Sequence, residues 1–538
     1  MLPHYPLADL LAYLAQHGKE LGRDAAEFPA DLANERGRMY LLNADWAPDG
    51  HLVVHFPPTF PDTLPKIYLA KGAPRPAIVP HVNRPGQICC FEASTVVNAT
   101  IPLSVLTAVV DKAKAVWTKQ YSPEERLREV EAELTAYWEN SEYNPLFLCD
   151  DSVETERVVG VIDEVLPSRR EIHRVATLTG TPYTKQCIGL VVNVPREQIL
   201  SLLADAEATI RSLPDLEGAL KTLRAHLAMG TIHKRAIECW LLLRCETSTG
   251  RIWLSAQVVK RLSVDLRRAN PDAEIRKWVL ESPLRRVKVQ DLRGRRLRAR
   301  TAGAERSDDY AGLRVALVGC GSLGGFLADG LARAGVNHWL LMDTDQLRPE
   351  NLARHLLGFD SLYLPKAEAL ASALRRRTAD IDVNVSIAAV QTETGLKAVE
   401  RFGPTVLVSA TGDTNTDLTL SELCRRGALG DCCFVWVEPN LSAGHLVYQP
   451  QGSATGLHDL HEQVGADAYY YRHRVVAEPR TLHQTESGCQ VAFTPYSGAD
   501  MQHFAHATVI ELARMLSARP TALTVQRFQG STWHTITT

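Results

Sequence analysis

Apolar and polar positions fall into blocks whose period changes several times along this chain. In the C-terminal half, the apolar run Val315–Val318 enters Gly319-Cys320-Gly321-Ser322-Leu323-Gly324. A helical stretch follows, then a second apolar strand ending in Asp343. Short apolar runs bounded by glycine read as buried strands with helices between them. Val406–Ser409 and Cys432–Val437 repeat the pattern, and Gln502–Leu516 has the spacing of a final helix. Upstream, Cys239–Cys245 (CWLLLRC) and Arg251–Val258 (RIWLSAQV) predict a hairpin joined by Glu246–Gly250, with a helical run over Glu197–Arg211 before it. Nearer the N-terminus, His55–Leu69 (HFPPTFPDTLPKIYL) runs from a strand into a proline-dense bend, and Lys66–Leu69 leaves it as another strand. Prolines there fix the backbone and remove donors, which suits a loop skirting a sheet edge. Pro123–Tyr137 (PEERLREVEAELTAY) reads as a charged helix, and residues 1–20 as a short amphipathic one. These blocks divide the chain into expected domains at 1–145, 146–300 and 301–538, the middle one mixed α/β.

Bulk properties narrow the class. A length of 538 residues suits about three domains. A hydrophobic fraction of 45% with 22% charged residues is that of a soluble globular chain. The net charge of −3 argues against general polyanion binding, so no nucleic-acid partner is expected. No segment approaches the roughly 20 apolar residues of a membrane span. The N-terminus lacks the basic region and cleavage pattern of a signal peptide, so a cytoplasmic location is expected. The 11 cysteines contain no C-x-x-C pair, which argues against a structural zinc site.

The chemistry concentrates after the glycine loop. Strand, glycine loop, helix, strand and acid follow in the order of a nucleotide-binding Rossmann half, where Gly319, Gly321 and Gly324 admit phosphate and Asp343 meets a ribose hydroxyl. A nicotinamide oxidoreductase would be the default reading. It does not account for Asp345, Asn351-Leu352-Ala353-Arg354, Lys366 and Asp413. Cleaving ATP between its α- and β-phosphates does, because developing charge must be met by fixed cations and donors. Residues of about 310 to 515 resemble the ThiF/MoeB/ubiquitin-activating superfamily, whose motif runs D-x-D, N-L-x-R and a downstream Lys. The resemblance implies a Rossmann-like adenylation domain using ATP and Mg²⁺. It gives Gly319, Gly321, Gly324, Asp343, Asp345, Asn351, Arg354, Lys366 and Asp413 as nucleotide residues, Arg354 and Asp413 as catalytic, and Asp413 as the magnesium handler. The family's T-D-N is Gly412-Asp413-Thr414 here, so the aspartate carries over and the Asn does not. The arginine-rich stretch Leu284–Arg306 reads as a solvated linker. Alternatively, Arg293, Arg295, Arg296, Arg298 or Arg300 reaches the triphosphate, as an upstream arginine does in the family.

The first unit adds a second chemistry. Phe60-Pro61-Asp62-Thr63-Leu64-Pro65-Lys66-Ile67 resembles the Y-P-F-x-P-P-K-V segment of ubiquitin-conjugating enzymes. Pro80-His81-Val82-Asn83 stands at their H-P-N, and Gly86-Gln87-Ile88-Cys89 at their G-x-I-C. The resemblance covers about residues 10 to 120. It implies an α+β conjugating-type (UBC) fold with Cys89 as the acyl-carrying nucleophile and Cys90 in a structural role. Asn83 lies closer to the cysteine than in the family, and Thr95–Asn98 replaces the expected tryptophan, as in the bacterial branch. An activating-type domain also needs its own thiol, carried in a loop over the nucleotide site. Thr481–Asp500 (TLHQTESGCQVAFTPYSGAD) holds one cysteine, Cys489, with His483 a candidate helper. Cys432 and Cys433 are competitors on an expected buried strand, and Cys320 is expected to pack under the phosphate loop.

The whole resembles bacterial fusions of conjugating-type and activating-type domains, the ubiquitin-transferase-like proteins of anti-phage operons. The resemblance implies adenylation of a protein C-terminal carboxylate, transfer to Cys489, then to Cys89, and then to an acceptor amine, within a homodimer. The implied cargo is a cGAS-like nucleotidyltransferase. A dedicated ubiquitin-like protein is an alternative, as is a sulfur-carrier protein with the first unit as a docking module.

Overall fold

The computed structural model describes the chain apart from residues 1–6, 24, 26–35, 71–77, 84–85, 92–99, 139–144, 150–151, 166–170, 179–186, 230–236, 263–270, 294–295, 298–309, 311, 378–380, 465–467, 478–483, 486–491, 494 and 537–538. It comprises two compact units, Met1–Asp291 and Leu292–Thr538.

The first unit begins with an antiparallel sheet in the order Gly18–Glu20, Arg38–Asn43, His51–Phe56, Lys66–Leu69, Gln87–Ile88. His51–Phe56 is central, and Leu52 and Val54 are fully buried on the face covered by the helices Ala8–His17 and Pro102–Thr118. A mixed sheet of eight strands follows. Its longest strands form the hairpin of Ile237–Thr247 and Gly250–Leu262, with Cys187–Val194 alongside in parallel. The predicted hairpin is present but longer, and its turn is the two-residue Ser248-Thr249 between Thr247 and Gly250. The helical run over 197–211 is broken in two, Ile199–Ala204 and Ala206–Ser212. Asp205, in extended backbone, caps the second helix by accepting from Ala208 N. Leu284–Val287 and Val289–Asp291 are strands of this sheet, so the arginine-rich stretch starts as sheet rather than linker. Sheet pairing explains it, since Leu284–Val287 runs antiparallel to Gly250–Leu262 and Val287 is fully buried.

In the second unit, parallel strands stand in the order Asp382–Ser386, His338–Met342, Arg314–Val318, Val406–Ser409, Asp431–Val437. Gly444–Gln449, Thr524–Gln529 and Thr532–Ile536 extend this sheet antiparallel. Helices Ser322–Ala334 and Gly498–Ala518 pack together on one face, around Leu327, Leu331, Phe504 and Leu512. The strand order reverses between Arg314–Val318 and Val406–Ser409. In open parallel sheets the crevice beyond the strand ends at such a reversal is where ligands bind.

Candidate active sites

At that reversal, Gly319 leaves its strand with φ +91°, and a Cβ there would lie 2.8 Å from the backbone of Ala410. Only glycine permits that turn beside the neighbouring strand end. Gly324 is needed for a different reason: its Cβ would fall 1.9 Å from the Gly319 carbonyl, so it lets the helix Ser322–Ala334 close on the loop. At Gly321 a Cβ would meet nothing within 4 Å, leaving open space before that helix's N-terminus. Exposed N–H groups and the helix dipole make such a position favourable for phosphate.

Two adjoining cavities surround the loop. One, of about 350 Å³, is lined by Gly319, Gly321, Asp343, Asp345, Lys366 and Asp413. The other, of about 310 Å³, is lined by Gly321, Asn351, Arg354, His355 and Lys366. Gly321, Lys366, Ala410 and Thr411 belong to both. The residues singled out from sequence thus converge, except Gly324, which shapes the loop from behind.

Their contacts assign local roles. Asp343 accepts from Cys320 N (2.7 Å) and Asp345 N (2.8 Å), fixing the glycine loop to the strand end. Lys366 Nζ pairs with Asp345 at 3.0 Å and is largely buried. Asn351 accepts from Arg348 N at 3.0 Å and sets the short helix Pro349–Arg354, which brings Arg354 over the Tyr496 ring at 5.3 Å. Asp413 caps the helix Thr414–Arg425, accepting from Asn415 N, Thr416 N and the Thr416 hydroxyl. Its carboxylate stays exposed on the cavity wall, where a hard cation beside phosphate would find oxygen ligands.

Two residues here had not been singled out. His355 is buried; its Nε2 donates to the Cys320 carbonyl at 2.9 Å and its Nδ1 accepts from Leu357 N at 3.0 Å. That fixes one neutral tautomer beneath the phosphate loop, and burial lowers the ring's pKa further. Asp417 is buried and accepts from the hydroxyls of Ser409 (2.5 Å) and Thr411 (3.3 Å), and burial raises its pKa to about 6. Its spacing of four residues from Asp413 on one helix was the available signal.

Of the candidate thiols in this unit, Cys320, Cys432 and Cys433 are fully buried, and burial raises the pKa of Cys320 and Cys433 well above the ordinary value. Cys432 shares its environment with Cys424, whose hydrogen bond, followed by burial, likewise pushes it up. Cys489 and His483 lie outside the described residues, as do Arg295, Arg298 and Arg300. Arg293 and Arg296 begin a short turn, with Arg296 N donating to the Arg293 carbonyl at 2.9 Å.

In the first unit, Cys89 is exposed just past the strand Gln87–Ile88, and its N–H donates to the His81 carbonyl at 2.7 Å. His81 has φ +63°, and this unusual backbone is held from outside the sheet. Its N–H donates to Tyr137 Oη (2.7 Å) and Glu133 Oε2 (3.2 Å). Its ring meets Glu133 at 2.9 Å and Glu129 at 3.4 Å. Burial first, then the Glu133 charge, pushes the Cys89 thiol pKa up. Cys90 is half-buried and its thiol is pushed up to about 12, again mainly by burial. Asn83 is turned into its own bend, accepting from Gln87 N at 2.9 Å and donating to Gln87 Oε1 at 3.3 Å. Thr95–Asn98 lies outside the described residues.

The carboxylates at His81 come from the helix Pro123–Ala132, which carries Glu129, and from Glu133, the residue that caps its C-terminus before Leu134–Trp138. Sequence reading placed a charged helix there but assigned it no role at the thiol. The recoverable signal was Glu129 and Glu133, four apart and so on one face.

Two families and several known proteins are similar to parts of this chain. Residues 294–432 match the ThiF family, and residues 40–147 match prokaryotic E2 family B. The chain is 28% identical over 355 residues to the ATP-dependent ubiquitin transferase-like protein Cap2 of Pseudomonas aeruginosa, covering 60% of this chain and 61% of that protein. It is 34% identical over 115 residues to the adenylyltransferase and sulfurtransferase MOCS3 of Bos taurus, covering 21% of this chain and 25% of the relative. A crystal structure of E. coli MccB with MccA-N7isoASN matches with a TM-score of 0.33 at 18% identity, over 43% of this chain and 66% of that one. The match thus spans about three fifths of the Cap2 relative's length. Among the described residues, no helix is long and apolar enough to cross a membrane, and no cluster of metal-ligating side chains occurs.

Proposed function

We propose that this chain, which joins a prokaryotic E2 family B segment to a ThiF-family segment, activates the C-terminal carboxylate of a protein with ATP and conjugates it to an amine. The observation that carries the reading is the convergence of Arg354, Lys366, Asn351 and Asp413 on the cavities around Gly321. The carboxylate oxygen attacks the α-phosphorus and pyrophosphate leaves. Arg354 and Lys366 meet the charge developing on the phosphate oxygens, in a site shaped before reaction begins. Asp413 would hold Mg²⁺, which would supply further charge neutralisation on the phosphates. The acyl adenylate is then attacked by the Cys489 thiolate, AMP leaves, and a thioester forms. Transthiolation passes the acyl group to Cys89, and an amine displaces that thiol to give an amide.

Burial and the Glu133 charge disfavour the Cys89 thiolate. Glu133 and Glu129, the two carboxylates at His81, suit the last step, in which an incoming ammonium must be bound and deprotonated. The cargo is proposed to be a cGAS-like nucleotidyltransferase in an anti-phage setting, with a ubiquitin-like protein as the alternative. The likeness to MOCS3 supports adenylation of a sulfur-carrier protein as a further alternative, which leaves the exposed Cys89 without a role. A homodimer and a cytoplasmic setting complete the proposal.

ATP–pyrophosphate exchange driven by the cognate carboxylate protein tests the adenylation step. Asp413→Ala abolishes it in this account, and so does Asp413→Ser, which keeps a helix cap but removes the charge. Exchange that survives in Asp413→Ser assigns Asp413 to capping alone. Saturable NAD binding with no response to ATP overturns the reading.

A further inference from the structure

A cavity of about 600 Å³ in the second unit adjoins the adenylation site, and apart from Arg354 its lining has no part in the steps above. It shares Arg354, Gly412, Trp436, Val437 and Tyr496 with the phosphate-side cavity, so the two are continuous. Aromatic side chains line it: Trp436 from one strand, at the shared boundary, and Tyr469, Tyr470 and Tyr471 from the hairpin His461–Val464/Ala468–Tyr471.

Charged groups also line it, but their charges are already answered inside the chain. Glu438 accepts from Val475 N and Val476 N (both 2.7 Å) and bonds His445 Nε2 at 2.7 Å. Arg474 pairs with Glu462 at 3.1 Å, donates to the Tyr471 carbonyl at 2.9 Å and lies over the Tyr470 ring at 5.0 Å. Asp417 is held by Ser409 and Thr411. His461 Nδ1 donates to the Leu457 carbonyl at 2.7 Å, and the ring stacks on Tyr469. Arg354 belongs to the phosphate side. Among the described lining residues, what remains for a ligand is mainly aromatic and aliphatic surface, with Tyr471 Oη and Arg474 Nε, both buried without a hydrogen-bond partner, and Asn440 and Thr414 as its polar handles. A pocket of this kind selects by apolar burial and rejects charge that it cannot pair.

We propose that this cavity is a specificity pocket that takes a bulky apolar or aromatic side chain from the cargo's tail, within the last few residues before the carboxylate that is adenylated. The occupant follows from continuity: a chain whose carboxylate sits beside Arg354 and Gly412 has its preceding residues beside Trp436 and Tyr470. This rests on the adenylation reading and adds the substrate's side-chain class to it.

Synthetic peptides of roughly ten residues, on a glycine–serine background with a free C-terminal carboxylate, test it. Each carries one Phe, Leu, Ala, Glu or Lys at the second, third or fourth position from the end. Binding to the full chain is read without ATP by fluorescence polarisation, and pyrophosphate exchange is read with ATP. At one of these positions the Phe and Leu peptides are expected to bind roughly ten- to a hundredfold more tightly than Ala, Glu or Lys, the range that burial of a large side chain provides. In Tyr469→Ala and Tyr470→Ala that ratio falls towards one. The first removes a half-exposed ring from the surface, and the wild-type panel needs no variant at all. Equal affinity across the panel, or a preference for Glu or Lys, overturns the pocket. Selective binding with no exchange by any peptide leaves the pocket standing and counts against the adenylation reading instead.

Discussion

At the scale of single residues, the distinctive feature is Glu133, which pairs with His81 and puts a negative charge near the exposed Cys89. An anionic neighbour disfavours a thiolate, so removing the charge moves the thiol the other way. Glu133→Gln is expected to lower the Cys89 pKa and shift the pH midpoint of its alkylation by iodoacetamide to lower values. Conjugation to an amine should slow in the same variant, because the base beside the thioester is gone. An unchanged alkylation midpoint contradicts the assigned charge effect. Cys89 itself was legible, since G-x-I-C is a local pattern, and so were Asp343, Asp345, Asn351, Arg354, Lys366 and Asp413. Glu133 was not, because it reaches His81 across 52 residues of sequence and no local period records that. Tyr137 at the same site and the aromatic wall of the specificity pocket were hidden for the same reason.

At the scale of elements, the helix Pro123–Ala132 acts as a two-sided spacer. Glu129 and the following Glu133 reach His81, while Arg126 donates to the Ile78 carbonyl. On its other face, Val130 joins the core of the mixed sheet, as do Leu134 and Trp138 from the next helix, and Trp138 Nε1 donates to the Ser255 carbonyl at 2.8 Å. Glu131, 1% exposed, pairs with Arg196 and accepts from Ser248 N (3.1 Å) and Oγ (2.6 Å). Burial opposes ionisation of Glu131, but the bonds from Arg196 and Ser248 outweigh it and hold its pKa below the ordinary value. Arg196→Ala leaves that carboxylate buried with Ser248 as its remaining partner. We expect a loss of about 2 kcal/mol, less than for a fully enclosed pair because the arginine is partly exposed. It should appear as a lower urea midpoint for the transition of this unit. A depressed carboxylate pKa contributes stability above the unfolded value and loses it as pH falls through the folded one. The difference between wild type and variant should therefore shrink below about pH 4, the ordinary carboxylate range. A difference that is constant with pH contradicts the ion pair as its source. Periodicity disclosed most elements, but it ran two helices together at Asp205 and took the strands from Leu284 for linker. Both misses lie where side-chain capping or sheet pairing decided what local pattern left open.

At the scale of the whole molecule, the proposed relay joins two acyl-carrying cysteines in one chain, which would make their encounter intramolecular, with effective concentrations on the order of millimolar for a short flexible tether. The alternating strands and helices of the second unit, and hence its class, were readable from sequence, because buried parallel strands leave continuous apolar runs. Whether one chain serves itself or its partner in a homodimer is a separate question. The account favours transfer across the dimer, so mixing Cys89→Ala with Cys489→Ala protein should restore conjugation once subunits exchange. Continued inactivity after verified exchange assigns transfer within one chain. The central claim is the ordered relay of an acyl group through two thiols. It is tested most directly by intact-protein mass spectrometry of the chain isolated under acid quench from cells that carry its cargo. The account predicts a protein adduct that thiol reductant releases, retained on Cys489 in Cys89→Ala and absent in Cys489→Ala. Normal loading of Cys89 in Cys489→Ala, or no reducible adduct on any form, contradicts it.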